Sequence, residues 1–247
     1  MDAVNIALEL AVQDPAGVRV AREIGAARVE LTQALALGGL TPSPATLQLA
    51  REAAGESGPE IHVLIRPRAG GFHYDADEVA LAVRDVEWAV ANGADGVVIG
   101  ALNASGALDL DAMARLRDAA GEASVTLHRA IDVTVDPVAT LEHAVELGLR
   151  RVLTSGGAST AIEGVDTLRA LVKVADGRIE IMAGSGVVAT GAALLAATGV
   201  DALHFSAKRA VVGDGAQVRM GSASDGVGGY EVTDRDAAFA VRRALAL

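Results

Sequence analysis

One short pattern occurs four times along the chain: a glycine, two or three small or polar residues, and then an apolar run. The copies begin at Gly25, Gly93, Gly148 and Gly199, so successive copies lie 68, 55 and 51 residues apart. Each copy follows an Ala-rich helical segment, which is typical of a glycine that ends a helix before a buried strand. Because one strand–helix unit of a (β/α)8 barrel takes about 30 residues, roughly two units separate neighbouring copies and the chain accommodates eight.

Eight apolar segments fit that spacing, and helical patterns such as Asp77–Asn92 and Ala139–Leu147 separate them. Strands that alternate with helices predict an α/β fold with a parallel sheet, here a (β/α)8 TIM barrel. An open doubly wound sheet is disfavoured because no Gly-x-Gly-x-x-Gly follows the first strand. The predicted strands are Val4–Ala11, Arg28–Thr32, Ile61–Pro67, Gly96–Gly100, Ser124–His128, Arg151–Ser155, Arg178–Ala183 and Ala202–Ser206.

No linker rich in proline, serine or charge divides the chain, so we expect one domain over residues 1–247. The last connection, from Ala207 to Val232, is long and holds six glycines. Because the loops after barrel strands lie on the active face, we expect this 207–232 loop to be a lid; the alternative is a poorly ordered surface loop or a subunit contact. We expect Thr233 to cap a final helix over Asp234–Leu247.

Charge and composition exclude several classes of partner. The chain has 32 acidic and 21 basic side chains, and the resulting net charge of -11 disfavours nucleic acid and anionic lipid. The absence of cysteine excludes disulfides, thiolate chemistry and Cys-ligated zinc. The uncharged stretch Ile181–Val200 holds four glycines, so we interpret it as a strand end, a loop and a short helix rather than a membrane span. Met1–Val4 shows no signal pattern, and we expect a cytoplasmic protein.

Polar side chains alternate with apolar ones along the predicted strands. The apolar set must face the helices, so the polar set points into the barrel. Inward charges are costly unless they are paired, and acids and bases converge here. His62 lies near the start of its strand and is expected to be a buried structural histidine. The residues expected to point inward are Glu9, Glu30, Thr32, His62, Arg66, His128, Glu180, His204 and Ser206.

Several of these residues lie at the carboxyl ends of strands, where TIM barrels place their chemistry. Glu30, His128 and Asp132 are the candidate catalytic residues, because imidazole and carboxyl groups suit acid–base work near neutral pH. We expect Glu30 or Asp132 to hold the tautomer of His128 and to raise its pKa. The alternative is an ion-pair network that closes the barrel mouth without catalysis. Arg66, Arg68 and Arg129 are the candidate clamps for an anionic ligand.

Two glycine turns add binding capacity for an anion. Ser155-Gly156-Gly157 follows the sixth predicted strand, and Gly184-Ser185-Gly186 follows the seventh and opens a helix. Backbone N–H groups at such turns often hold phosphate. The alternative is that these glycines serve only as tight turns. His204 and Ser206, at the end of the eighth strand, complete the candidate ligand-binding set.

Seven stretches spread over about 200 residues show a family pattern: Gly38–Ser43, His62–Arg68, His128–Asp132, Leu153–Gly157, Ile181–Gly186, His204–Arg209 and Tyr230–Asp234. In these stretches the chain resembles the CutC family, whose members are associated with copper homeostasis. The resemblance implies a TIM barrel in a cytoplasmic homo-oligomer, a homodimer or larger, with copper as the implied metal.

The chain departs from the family where cysteines have been proposed as copper ligands. Glu9-Leu10-Ala11 and Glu30-Leu31-Thr32 stand at those places, so the soft ligands that suit Cu(I) are missing. We therefore predict no metal site and assign no cofactor, since copper is implied by the family resemblance only. A Cu(II) or zinc site formed by His128, His204 and Glu30 is an alternative.

Three functions stay open at this point. The first is a CutC-like role in copper homeostasis, direct or indirect. The second is an enzyme that acts on a small anionic metabolite, phosphorylated or not, by acid–base chemistry at the barrel mouth. The third is a non-catalytic oligomeric binding protein.

Overall fold

Eight parallel strands close into a barrel in a computed structural model that describes residues 6–212 and 229–247. The strands are hydrogen-bonded in chain order, and the eighth pairs with the first through Glu9 opposite His204. The predicted (β/α)8 barrel is confirmed. The strands are β1 Ala7–Val12, β2 Arg28–Leu31, β3 Glu60–Leu64, β4 Gly96–Ile99, β5 Ser124–Leu127, β6 Arg151–Thr154, β7 Glu180–Gly184 and β8 Ala202–Phe205.

Helices follow the strands and cover the outside of the barrel. Several begin at an Asp or Ser cap followed by proline, as at Asp14, Ser43 and Asp136, where the side chain accepts a backbone N–H of the first turn. The helices are α1 Pro15–Glu23, α2 Pro44–Ala54, α3 Ala76–Ala91, α4 Leu110–Ala120, α5 Pro137–Glu146, α6 Val165–Ala175, α7 Ala189–Ala196 and α8 Arg235–Ala244. Short 3-10 turns lie at Leu35–Leu37 and Arg129–Val133.

The last connection differs from the expected 207–232 loop. Its ends pair as an antiparallel hairpin of β9 (Lys208–Val212) and β10 (Gly229–Thr233). Residues 213–228, on which much of the lid or subunit-contact prediction falls, lie outside the described residues. The expected Thr233 cap is wrong: Thr233 belongs to β10, and the Asp234 side chain accepts the Ala237 N–H instead.

Hydrogen bonds across the barrel show which side chains point inward. Arg28 on β2 donates to Glu9 and to Met182 on β7, and Arg151 on β6 contacts His62 on β3. Contacts between such distant strands pass through the interior, so these groups form a buried ionic layer near the amino ends of the strands. His62 lies within this layer and does not line the cavity at the carboxyl ends of the strands.

The uncharged stretch Ile181–Val200 covers the end of β7, a loop and α7. Over residues 6–212 and 229–247, no helix has the length and apolar character that crossing a membrane requires.

Candidate functional site

A cavity of about 570 Å³ opens at the carboxyl ends of the strands. Apolar side chains such as Leu64, Phe72 and Leu153 form part of its wall, and Lys208 of β9 reaches it from the hairpin. The predicted residues that line it are Glu30, Arg66, His128, Arg129, Ser185, Gly186, His204 and Ser206.

Glu30 is the carboxyl group that opens into this cavity. Its side chain is only 8% exposed, and its nearest cation is His204, with Nε2 lying 3.8 Å from Oε2. No hydrogen bond to this carboxyl group is formed by the residues that the structure describes. Burial raises the pKa of Glu30 to about 7, against the opposing charge of His204. A carboxyl group with that pKa exchanges protons readily at neutral pH.

Glu9 contacts His204 through the ring nitrogen Nδ1. Glu9 Oε1 lies 2.8 Å from His204 Nδ1, and Arg28 Nε donates to the other Glu9 oxygen at 3.0 Å. Glu9 is fully buried, and burial opposes its charge, but the His204 hydrogen bond and the surrounding cations hold its pKa well below its usual range. Burial also lowers the pKa of His204, but Glu30 and Glu9 outweigh that effect and raise it.

His128 has a different state from the one expected. Its Nδ1 accepts the Ala130 N–H at 3.1 Å, so the ring proton of the neutral form is on Nε2. Burial and the charge of Arg66 lower the pKa of His128 to about 3. The expectation of a raised pKa is therefore wrong, because burial and the charge of Arg66 outweigh the opposing effect of the Asp132 carboxylate. Buried Nε2 has no partner among the described residues, and the ring packs on Phe72 at 4.7 Å.

Two glycines make room for these histidines. A Cβ atom at Gly100, which follows β4, would lie 2.3 Å from His128 Cε1. A Cβ atom at Gly184, the last residue of β7, would lie 2.5 Å from Leu153 Cδ1 and 3.2 Å from His204 Cβ. Gly184 therefore serves close packing against side chains of β6 and β8 rather than lining the cavity.

Arg66 is a buried guanidinium without a carboxylate partner among residues 6–212 and 229–247. It donates to the carbonyl oxygens of Leu37, Gly39 and Gly70 at 2.7–2.9 Å, while its Nε has no hydrogen-bond partner in the described part of the chain. Its backbone N–H donates to Thr41 Oγ1. These contacts leave a positive charge at the cavity wall that no described carboxylate compensates.

Arg68 does not join Arg66 in the cavity. It pairs with Glu78 of α3, lies over the Tyr74 ring and donates to nearby loop carbonyls. The structure therefore separates the two arginines of the Arg66-Pro67-Arg68 stretch.

The turn after β6 binds an anion, but the anion is the carboxylate of Asp132. Asp132 accepts from the backbone N–H groups of Ser155 and Gly157, from Thr154 Oγ1 at 2.5 Å and from Ser155 Oγ at 3.0 Å. Arg129 Nε donates to it at 2.8 Å. Asp132, Ser155, Gly156 and Gly157 thus lie behind the cavity wall and orient Arg129, which itself reaches the cavity.

The turn after β7 does lie at the cavity. Ser185 adopts a left-handed φ of 88° and donates through Oγ to the Ser159 carbonyl. Helix α7 then begins at Ala189, and its N-cap residue, Val188, provides no side-chain hydrogen bond. Ala207, after β8, also has a positive φ of 42°. Such backbone conformations in residues other than glycine are costly and concentrate at functional sites.

The donor set at the cavity does not fit copper. Ala11 and Thr32 provide no sulfur at the two positions where the family resemblance implies ligands, and the Met182 sulfur already accepts from Arg28. The described residues contain no group of three or more His, Asp or Glu side chains that could hold a metal ion. Glu30 and His204 Nε2 lie 3.8 Å apart, but no third His, Asp or Glu side chain of the described residues completes a group with them, and two such donors are too few for the closed sites that hold copper or zinc.

Sequence reasoning missed parts of the site that loops and strand starts contribute. Phe72 lies between Arg66 and His128 but belongs to the loop after β3, where no periodicity marks it. Glu9 was expected to point inward but not to contact His204. Strand pairing of β1 with β8 brings those two side chains together, and the order of the closed barrel predicts that pairing.

Comparison with known proteins agrees with the resemblance seen in the sequence. Residues 6–209 match the model of the CutC family. Family protein CutC from Xanthomonas campestris pv. campestris (strain B100) is 50% identical over 202 residues, which cover 81% of this chain and 83% of the relative. Family protein CutC from Xylella fastidiosa (strain Temecula1) is 44% identical over 237 residues, covering 94% and 86%.

A crystal structure of a protein from Streptococcus agalactiae, provisionally named copper homeostasis protein CutC, shares the fold with a TM-score of 0.78. It is 32% identical, and the match covers 81% of this chain and 98% of that one. On sequence and on structure alike, the chain belongs to the CutC family.

Proposed function

We propose that this CutC-family protein is an enzyme that binds a small anionic metabolite at the barrel mouth and changes it by acid–base chemistry. The observation that carries the proposal is Glu30, a buried carboxyl group that opens into the cavity and accepts no hydrogen bond from the described residues. A largely buried carboxyl group without a hydrogen bond from the protein is costly to a fold, so its presence at a cavity favours a functional role.

The charge of the cavity supports an anionic ligand. Arg66 has no described carboxylate partner, and Arg129 is oriented toward the cavity by Asp132. A guanidinium binds carboxylate or phosphate in a fixed geometry, and it does so strongly where water is excluded. An anion would also compensate the charge of Arg66, which is otherwise balanced only by carbonyl dipoles.

We propose that the copper homeostasis associated with the family name is, for this chain, an indirect consequence of that chemistry. The donors at the cavity support this choice, since they lack sulfur and no three His, Asp or Glu side chains of the described residues form a group that could hold a metal ion. Equilibrium dialysis against copper followed by elemental analysis tests it: we expect weak, sub-stoichiometric copper. One tightly bound copper per chain would contradict the indirect role.

Isothermal titration calorimetry with oxalate and with inorganic phosphate tests the anion pocket directly. We expect one of these probes to bind once per chain, and Arg66→Met to weaken binding by about 10-fold or more, the scale of a lost charge-assisted contact. Arg66→Lys keeps the charge and should recover part of the loss. Arg68→Met is the matched control, because Arg68 lies outside the cavity lining, and it should leave the affinity unchanged. Equal losses in Arg66→Met and Arg68→Met would contradict the pocket.

The cytoplasmic location and the homo-oligomeric assembly that the family resemblance implies stay predictions. Cell fractionation and sedimentation equilibrium, respectively, would check them.

A further inference from the structure

The buried contact between Glu9 and His204 extends the acid–base chemistry of the cavity, and the inference drawn from it rests on the proposed function. We propose that His204 is the proton donor that works beside Glu30, and that Glu9 is the positioning residue that fixes the His204 ring for this role. Glu9 is itself fixed, since it is fully buried and its two oxygens contact His204 and Arg28.

This contact decides which nitrogen of His204 can act. With Nδ1–H donating to Glu9 at 2.8 Å, only Nε2 is left for the cavity, which His204 lines. Nε2 lies 3.8 Å from Glu30 Oε2, a separation beyond a direct hydrogen bond. A Cβ atom at Gly184 would lie 3.2 Å from His204 Cδ2, so the β7 backbone leaves little space on that side of the ring. The ring therefore presents one N–H next to the Glu30 carboxyl group, which accepts no hydrogen bond from the described residues.

The charges around His204 favour its protonated form. Glu9 faces it from β1 and Glu30 from β2, while Arg129, after β5, opposes them with a positive charge. Burial works against the cation, but the two carboxylates outweigh burial and Arg129 and raise the pKa of His204. Near pH 7, where Glu30 is partly ionised because its pKa is about 7, an imidazolium acid and a carboxylate base lie side by side.

An adjacent acid and base fit proton transfer next to a carbonyl group. The Glu30 carboxylate takes the α-hydrogen as a proton, and the C–H electron pair forms a carbon–carbon double bond. The carbonyl π pair moves to oxygen, which takes the Nε2 proton. His204 is then neutral, and its Nδ1–H still donates a hydrogen bond to Glu9. The reverse step returns both protons, so no oxidant or reductant is needed. The substrate class is a small carboxylated or phosphorylated carbonyl compound with an α-hydrogen.

Imidazole ¹⁵N–¹H spectra test the positioning role without any ligand. The chain has five histidines, and His204→Gln assigns the His204 signals. We expect His204 of the unmodified protein to carry both N–H protons at pH 7. Glu9→Gln should lower its titration midpoint by about 1 pH unit or more, because the Glu9 charge is removed. Glu9→Asp should restore part of that shift.

Glu180→Gln is the matched control, because it also removes a carboxylate from an interior arginine, Arg151, without touching His204. It should leave the His204 midpoint unchanged. A neutral His204 at pH 7 in the unmodified protein overturns the proposal even if Glu9→Gln fails to fold. Equal responses to Glu9→Gln and Glu180→Gln overturn the positioning role.

Deuterium exchange tests the reaction class. Pyruvate, 2-oxoglutarate and dihydroxyacetone phosphate, incubated with the protein in D₂O, report α-hydrogen exchange by ¹H NMR. We expect the protein to exchange the α-hydrogen of at least one probe. The exchange rate should fall by about 100-fold in Glu30→Gln and in His204→Gln, which is the contribution expected of a general acid or base. No exchange of any probe by a protein that binds oxalate overturns the proton-donor role. Failure of oxalate and phosphate to bind, with His204 still protonated, contradicts the proposed function instead.

Discussion

Glu30 Oε2 and His204 Nε2 lie 3.8 Å apart at the mouth of the barrel, close enough for their charges to interact and too far for a hydrogen bond. Glu9, on the other side of the His204 ring, is hydrogen-bonded and ionised, whereas Glu30 is buried with its pKa raised to about 7. The two carboxyl groups beside His204 therefore have different protonation behaviour. The one that faces the cavity, Glu30, is the one that can exchange protons at neutral pH.

The first prediction concerns stability as a function of pH. Folded Glu30 keeps its proton up to about pH 7 and unfolded Glu30 loses it near 4.5, so the stability linked to this residue falls as pH rises through that interval. Relative to the unmodified protein, Glu30→Gln should gain about 2 kcal/mol in free energy of unfolding between pH 5 and pH 8. Urea unfolding at both pH values measures this gain. A difference between the two proteins that is the same at both pH values would contradict it.

The second prediction concerns the charge of His128. Its pKa is lowered to about 3, so the stability that depends on the neutral ring is present above the unfolded pKa of 6.5 and is lost as pH falls toward 3. In imidazole ¹⁵N–¹H spectra, the His128 signals should keep the neutral Nε2–H pattern from pH 8 down to pH 5. His128→Gln assigns them. A titration midpoint above pH 5 would show that the ring is not buried as described.

The third prediction concerns the glycine beneath His128. Gly100→Ala would place a Cβ atom in the His128 ring, so we expect a loss of about 1–3 kcal/mol in free energy of unfolding, the usual cost of overpacking. Gly71→Ala is the matched control, because Gly71 has open space around its Cβ position. Chemical denaturation compares the two. If both substitutions are equally mild, His128 does not pack against Gly100 in solution.

The fourth prediction concerns Asp132. Asp132→Asn replaces one acceptor oxygen with an N–H donor, which would face the hydrogen-bond donors of the turn after β6. The free energy of unfolding should therefore fall by about 2–4 kcal/mol. Oxalate affinity should fall as well, because Arg129 loses the carboxylate that orients it. Asp118→Asn, at an exposed side chain, is the control and should change neither quantity. A stable Asp132→Asn protein with full affinity would show that Asp132 does not position Arg129.

The fold could be predicted because the sequence repeats one physical unit. Each helix-ending glycine is followed by a strand whose apolar residues face outward, so the spacing of Gly25, Gly93, Gly148 and Gly199 and strand alternation together indicate a barrel. Alternation also predicts which polar side chains point inward, as for Glu9 and His62. The hairpin of β9 and β10 was not predicted, since few periodic apolar residues mark that segment.

The site could be predicted only in part, because strand alternation does not determine the course of the loop after a strand. Arg66 and Arg68 lie two residues apart, yet the loop after β3 turns Arg68 toward α3. Asp132 lies close to His128 in sequence, but the turn after β6 binds it. The pKa of His128 depends on Arg66, which is distant in the chain. Such contacts between loops of different strands are set by the closed barrel.

A crystal structure of the protein with saturating oxalate tests the central claim most directly. We expect one oxalate in the cavity of about 570 Å³, in contact with Arg66 and adjacent to Glu30 and His204. A cavity that holds only water under these conditions, with oxalate bound elsewhere or not at all, would contradict the claim.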